Sequence, residues 1–196
     1  MQKGDETKER IIDVSLDLLH RRGYYDTSIN DIIENSGIKK GSLYFHYKSK
    51  DTLIIEVLNE ALERYEQQIS EGANHSNPLD QIIDKIDAIT GYHVNGDISK
   101  GCLFGNMALE IGHDGSDISV LVESIFKRWE TNFISLLNQA EKNGEIKLKE
   151  PARVLARMIL ASVEGGVLLS KISGNTESLK DCMKFIKSVI DERRVK

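Results

Sequence analysis

A basic run between residues 35 and 50 holds the side chains best suited to chemistry. It contains four lysines and no acidic residue. Lysine, serine, tyrosine and histidine side chains can donate hydrogen bonds to phosphate oxygens and to the edges of bases. The candidates of these types are Lys39, Lys40, Ser42, Tyr44, His46 and Lys50. The alternative is a solvated basic face on an ordinary helix.

Two short helices are predicted to position these residues. Ser28 can cap the first helix, and Gly37 can end it by adopting a positive φ. The second helix runs from Lys39 to about Tyr47, with Leu43 and Tyr47 facing inward. Two short helices joined by a glycine turn form a helix-turn-helix unit, whose second helix enters the DNA major groove. Gly41 lacks a Cβ atom, which would allow close approach of backbone and DNA.

The same stretch resembles the N-terminal domain of the TetR (tetracycline-repressor) family of transcriptional regulators, over roughly residues 7 to 55. The matching runs are Thr27-Ser28-Ile29, Asp31-Ile32, Ser36-Gly37-Ile38, Lys40-Gly41-Ser42-Leu43-Tyr44, His46-Tyr47 and Ser49-Lys50-Asp51-Thr52-Leu53. The family usually has Phe at the position of Tyr47, and this aromatic exchange should still pack. Resemblance and residue chemistry together predict a DNA-binding set of Thr27, Ser28, Lys39, Lys40, Gly41, Ser42, Tyr44, His46, Tyr47 and Lys50.

Composition indicates an all-α globular protein. The 196 residues are 40% hydrophobic and include only two prolines. The net charge of −5 conceals an asymmetry, because the first fifty residues carry nine Lys or Arg against eight Asp or Glu. For DNA binding, a local positive patch matters more than the net charge of the whole chain. No apolar run approaches the ~20 residues needed to span a membrane. The N-terminus is polar and has no signal-peptide core, so a cytoplasmic location is expected.

The sequence favours a regulator over an enzyme. It contains no phosphate loop, no zinc-protease motif and no nucleophile elbow. Five scattered histidines and two distant cysteines lack the spacing of metal ligands. We therefore expect no catalytic site, no metal and no cofactor. A helical small-molecule-binding protein without specific DNA binding is the main alternative.

Nine helices in two domains are predicted, with residues 1–49 forming the helix-turn-helix domain and residues 50–196 the ligand-binding and dimerisation domain. The first helix should begin at Thr7 after a disordered start. A long helix over 50–71 should link the domains, followed by a turn-rich linker over 72–78. The remaining helices are predicted at about 79–93, 101–112, 117–143, 151–172 and 176–192.

The last two helices are predicted to form a homodimer. They are amphipathic and apolar, and such a pair can pack against its twofold copy as a four-helix bundle. The family resemblance implies this dimer, which would read a palindromic double-stranded operator. The apolar positions are Val154, Leu155, Met158, Ile159, Ser162 and Leu169, then Leu179, Met183, Ile186 and Ile190.

The middle helices are expected to hold a pocket for an unknown small-molecule effector that releases the protein from DNA. The candidates are Cys102, Phe104, Met107, Leu109, Phe126, Trp129, Phe133 and Glu164, with the neighbouring Gly165 and Gly166. Core packing is the alternative for each of them. Glu164 could pair with a cationic ligand or lie exposed. Cys102 begins a helix and could be a reactive thiolate or a buried inert thiol.

Overall fold

The computed structural model describes residues 3–70 and 76–195, whose regular secondary structure is helical. A short 3₁₀ turn, Ile98–Lys100, separates the fifth and sixth helices, and Ile146 and Arg194 form a single β-bridge. The α-helices of this part of the chain are α1 (Lys3–Arg22), α2 (Ile29–Ser36), α3 (Lys40–His46), α4 (Lys50–Ser70), α5 (Pro78–Asn95), α6 (Leu103–Ile111), α7 (Asp117–Lys142), α8 (Ala152–Ser173) and α9 (Glu177–Asp191). The predicted all-α fold with nine helices is confirmed for the described residues.

The first helix begins earlier than the sequence predicted. Helix α1 begins at Lys3 rather than Thr7, so the expectation of a disordered start is wrong for residues 3–6. Asp5 and Glu6 lie in the first turn, where carboxylates stabilise the positive end of a helix. Residues 72–75 of the predicted linker, and residue 71 at the predicted end of the long helix, lie outside the described part of the chain.

Contacts divide the chain into two compact units. The first contains the chain up to Tyr65 together with Leu103–Glu123. The second contains Glu66–Cys102 and Ser124–Lys196. Helix α6 therefore belongs to the same unit as the short helices α2 and α3, although almost sixty residues of sequence separate it from α3. The functional boundary at residues 49 and 50 stays a prediction.

In the first unit, an apolar core holds α2 and α3 in place. Helix α1 packs on α2 and on α6. The inward side chains are completely or almost completely buried: Ile11, Leu18, Leu19, Ile32, Leu43, Leu53, Ile54, Val57 and Leu58. Short helices of seven or eight residues are marginal alone. The surrounding core therefore supplies their stability.

In the second unit, α8 packs closely on α9, and α5 also contacts α9. The apolar residues of α8 divide between two faces. Leu155 and Ile159 are buried, whereas Val154 and Met158 are 41% and 52% exposed. Helix α8 thus has one face in the core and a second apolar face on the surface of the chain.

Candidate nucleic-acid interface

The N-terminus of α2 is fixed by a reciprocal capping box. The backbone N–H of Asp31 donates to Ser28 Oγ over 3.1 Å, and the backbone N–H of Ser28 donates to Asp31 Oδ2 over 2.8 Å. The Ser28 hydroxyl also donates to Asp31 Oδ2. This hydrogen bond and the one from the Ser28 backbone N–H lower the pKa of the Asp31 carboxyl, with a smaller contribution from Arg22. At the other end, Gly37 has φ 67° and its N–H donates to Ile33 O. Both predicted ends of this helix are therefore present.

Helix α3 presents two distinct faces. Leu43 and Tyr47 point into the core, with exposures of 0% and 3%. Lys39, Lys40 and Gly41 are exposed, and Ser42 and His46 are half-buried. Tyr44 is 45% exposed, and its ring centroid lies 6.0 Å from Lys40 Nζ. The outward residues thus form one continuous surface, which we call the α3 face: Lys39, Lys40, Gly41, Ser42, Tyr44, Phe45 and His46.

The lysines of the α3 face and the neighbouring Lys48 form no ion pair with an acidic side chain that the structure describes. Exposed ammonium groups without carboxylate partners attract polyanions by simple Coulomb interaction, most strongly at low salt. The overall net charge of −5 is consistent with this patch because the excess acidic residues lie elsewhere in the sequence.

Two residues of the predicted DNA-binding set are interior. The Thr27 side chain is fully buried, and its hydroxyl donates to Gly23 O over 2.7 Å. Tyr47 is also buried, and burial raises the pKa of its hydroxyl. The inward direction of Tyr47 agrees with the spacing along α3, and the DNA-binding roles of Thr27 and Tyr47 stay predictions.

Lys50 occupies an intermediate position. Its ammonium donates to Tyr24 O over 2.5 Å and lies 3.9 Å from the centroid of the Tyr24 ring. Burial lowers the pKa of this ammonium, while Asp51 and Glu110 raise it. An ammonium has three N–H donors, so the contact with Tyr24 uses one of them. A phosphate contact by Lys50 stays a prediction.

A residue that the sequence did not indicate holds the turn before α2. Glu110, near the end of α6, accepts hydrogen bonds from the backbone N–H groups of Tyr24 and Tyr25 over 2.8 and 3.2 Å. Gly23 has φ 84°, and a Cβ there would lie 1.7 Å from Glu110 Oε1. Eighty-six residues separate Tyr24 from Glu110. No local pattern could have shown this contact.

The chain matches two family models. The description "Bacterial regulatory proteins, tetR family" matches residues 11–57, and "Transcriptional regulator LmrA/YxaF-like, C-terminal domain" matches residues 78–185. The chain belongs to the TetR family. This confirms the resemblance found in the sequence, and it confirms the function class of a DNA-binding transcriptional regulator.

Individual TetR-family proteins resemble the chain over nearly its whole length. The regulator LmrA of Bacillus subtilis is 30% identical over 91% of this chain and 93% of its own. The repressor NemR of Escherichia coli is 25% identical over 94% of both chains. A TetR regulator from Chloroflexus aurantiacus, known from its crystal structure, has a TM-score of 0.90 at 28% identity, covering 99% of this chain and 98% of its own.

The residues predicted for the TetR-family effector site are divided between the two units. Phe104 and Met107 are buried in the first unit. Leu109 is 79% exposed, so it does not line an interior wall. In the second unit lie Cys102, Phe126, Trp129, Phe133 and Glu164.

Contacts within the second unit join four of these residues into two pairs. Phe126 and Trp129 form an edge-on aromatic pair with centroids 5.3 Å apart. Cys102 is buried, and its thiol forms a hydrogen bond with the half-buried Glu164 carboxyl. Burial raises the pKa of Glu164, and the hydrogen bond opposes this shift. Glu164 is thus not on an open surface.

Two further observations concern the described residues alone. No group of three or more His, Cys, Asp or Glu side chains within 3–70 and 76–195 could hold a metal ion. No helix in the same ranges is long and apolar enough to span a lipid bilayer.

Proposed function

We propose that the protein is a homodimeric repressor that binds a palindromic operator through the α3 face and leaves it when a small molecule binds. The single observation that carries the proposal is the two-sided structure of α3. Leu43 and Tyr47 anchor the helix in the core, while its lysine and aromatic side chains remain exposed. Several relatives named as repressors, including NemR, support the direction of regulation. Action on the bacterial chromosome requires a cytoplasmic location.

Direct DNA contacts are assigned to the members of the predicted set that are exposed or half-buried. Ser28, Lys39, Lys40, Gly41, Ser42, Tyr44, His46 and Lys50 would approach phosphates or base edges. Thr27 and Tyr47 would instead position these residues from beneath. This division follows from burial: a side chain with no exposed surface has to act through its neighbours.

The dimer would form through the second apolar face of α8 and the adjoining surface of α9. Positions four, seven or eleven residues apart share one side of a helix. The large exposed apolar residues on these helices are Val154, Met158, Leu168, Leu169, Ile172 and Phe185. A second copy of the chain would cover this face and present two α3 helices to half-sites about 34 Å apart or a multiple of it.

Effector binding would shift the dimer between two arrangements of its α3 helices, only one of which fits the operator. The shift is limited by the difference in effector affinity between the two arrangements. Helix α4 is continuous from Lys50 to Ser70 and contributes residues to both units, so it is the proposed lever. The Cys102–Glu164 pair would lie at the effector site, where the half-buried carboxyl of Glu164 favours a cationic or hydrogen-bond-donating group.

A gel-shift assay tests the DNA-binding part of the proposal. Fragments from upstream of the protein's own gene are titrated at several stated salt concentrations, with wild type, Tyr44→Ala, Lys50→Ala and the exposed loop variant Lys149→Ala. We expect Tyr44→Ala to weaken operator binding by about 1–3 kcal/mol. Lys50→Ala should weaken binding to every sequence and reduce the salt slope by about 0.9 per chain.

The control variant Lys149→Ala should bind as wild type does, since it removes one positive charge far from α3 in the sequence. Circular dichroism and sedimentation should show all variants folded and dimeric. Retained affinity in both Tyr44→Ala and Lys50→Ala contradicts the assigned surface. Retardation that depends on salt but not on sequence favours the alternative function, a small-molecule-binding helical protein without specific DNA binding.

A further inference from the structure

Phe45 is the most exposed large hydrophobic side chain in the described part of the chain. Its exposure is 85%, against 45% for the adjacent Tyr44. The ring meets only the edge of its neighbour His46 among the aromatic side chains of α3, at a centroid distance of 5.2 Å. Single exposed hydrophobic residues are common on protein surfaces. This one stands out because of what surrounds it.

The residues one helical turn before Phe45 are small. Gly41 and Ser42 lie four and three positions earlier, on the same side of α3. A Cβ added at Gly41 would meet no atom of the described chain within 4 Å. The exposed phenyl ring therefore follows a stretch of small side chains on the α3 face, with Lys39 and Lys40 before it in the sequence and Lys48 after it.

The chemistry of a phenyl ring differs from that of its neighbours on this face. It can neither donate to a phosphate nor read a hydrogen-bonding base edge. The apolar feature of the major groove is the C5-methyl group of thymine, which phenylalanine can contact. Phe45 and Leu43 are the two large side chains of α3 that have no polar atom, and Leu43 is fully buried, so it cannot reach DNA.

We propose that Phe45 is a specificity-determining residue that reads the methyl group of a thymine in each operator half-site. The proposal rests on the proposed DNA-binding function and adds one contact to it. Lysines and hydroxyl groups would set register and affinity, while Phe45 would discriminate thymine from cytosine at one position. Packing of the ring on the sugar-phosphate backbone would give affinity without this discrimination.

The test compares removal of the ring with removal of the methyl group. A binding sequence is first recovered by selection of random duplexes on the wild-type protein. Each thymine is then replaced singly by deoxyuridine, which lacks only the methyl. Dissociation constants are measured for wild type, Phe45→Ala and Phe45→Leu on every duplex.

At one or two thymines per half-site, we expect deoxyuridine to weaken wild-type binding about fourfold. Burial of one methyl group contributes about 0.8 kcal/mol, and about 1.4 kcal/mol corresponds to a tenfold change in the dissociation constant. The same replacement should change Phe45→Ala binding by less than about 1.5-fold. Phe45→Leu should keep part of the effect. Tyr25→Ala is a matched control, because Tyr25 is 65% exposed and lies in the turn before α2. It should reproduce the wild-type deoxyuridine profile.

Two results would overturn the assignment. One is an unchanged deoxyuridine profile in Phe45→Ala, which would mean that another residue reads the methyl. The other is wild-type affinity and base preference in Phe45→Ala. Failure of the wild-type protein to select any sequence is a different outcome, because it removes the proposed function itself. Folding of Phe45→Ala should be unimpaired, since the side chain contributes little to the core.

Discussion

Two consecutive glycines in the middle of α8 have opposite surroundings, and this contrast gives a test of the dimer. A Cβ added at Gly166 would lie 3.0 Å from Leu179 Cα and 3.1 Å from Leu179 Cδ1. Gly166 thus allows α8 and α9 to pack closely, and a Cβ there would have to displace Leu179. A Cβ at Gly165 would meet nothing described within 4 Å. A glycine in a helix costs about 1 kcal/mol relative to alanine, and the fold of one chain does not explain this cost at Gly165.

The proposed dimer supplies an explanation. Gly165 lies seven residues after Met158 and three or four before Leu168 and Leu169, on the exposed apolar face of α8. A glycine there lets the backbone of a partner helix approach closely. In a twofold dimer, Gly165→Ala introduces two methyl groups into the interface. Overpacking costs about 1–3 kcal/mol per site, so the dimer should weaken by about 2–6 kcal/mol, or roughly 30-fold or more.

The two alanine variants should therefore separate folding from association. Gly165→Ala should raise the stability of each chain by up to about 1 kcal/mol while it weakens the dimer. Gly166→Ala gains the same helix propensity but must displace Leu179, so its net effect should be a loss of about 0–2 kcal/mol of chain stability. Its dimer dissociation constant should change little.

Sedimentation velocity over a dilution series measures the dissociation constant, and urea denaturation in the monomeric concentration range measures chain stability. The reasoning is refuted if Gly165→Ala dimerises as tightly as wild type while Gly166→Ala does not. That result would move the interface away from this face of α8. Equal destabilisation by both variants would show that Gly165 is constrained by its own chain.

Three further predictions concern the first unit. Glu110→Ala removes two charge-assisted hydrogen bonds to the turn before α2, so thermal denaturation should show that the free energy of unfolding falls by about 1–3 kcal/mol. Operator affinity should fall as well. Unchanged stability and affinity would show that the contact does not hold the turn. Gly41→Ala should stabilise the fold by up to about 1 kcal/mol yet weaken operator binding, and Gly37→Ala is its control because φ 67° makes that change destabilising. Ser28→Ala should lower stability by about 1 kcal/mol through loss of the cap, measurable by urea denaturation; a change below about 0.3 kcal/mol would contradict the capping role.

Local features were predictable because short-range chemistry determines them. The Ser28 cap and the positive φ of Gly37 follow from residues within three positions of the turn that they form. The inward placement of Leu43 follows from spacing along one helix. The start of α1 at Lys3 was not predictable from its polar sequence, which also suits a disordered segment, although Asp5 and Glu6 favour a first helical turn.

Features that depend on two apolar faces or on distant residues were not predictable. Helix α8 has adjacent apolar residues on two sides, such as Val154 and Leu155. The sequence alone does not show that the side with Leu155 is buried in the core while the side with Val154 is exposed. The burial of Thr27 is set by a hydrogen bond to Gly23 O that only the folded turn creates. Assignment of Glu110 to this turn required the fold itself.

Helix α6 gives the proposed regulation a second route beside α4. Its nine residues begin immediately after Cys102, whose thiol forms a hydrogen bond with Glu164 in the second unit. They end one residue after Glu110, whose carboxylate accepts hydrogen bonds from the Tyr24 and Tyr25 amides in the first unit. An α-helix rises about 1.5 Å per residue. Because it is nearly rigid, a displacement at one end of α6 also moves the other end. An effector that disturbs the Cys102–Glu164 contact would therefore displace the carboxylate that fixes the turn before α2. If this route carries the signal, Glu110→Ala should reduce the effector's influence on operator affinity, whereas transmission by α4 alone would leave that influence intact.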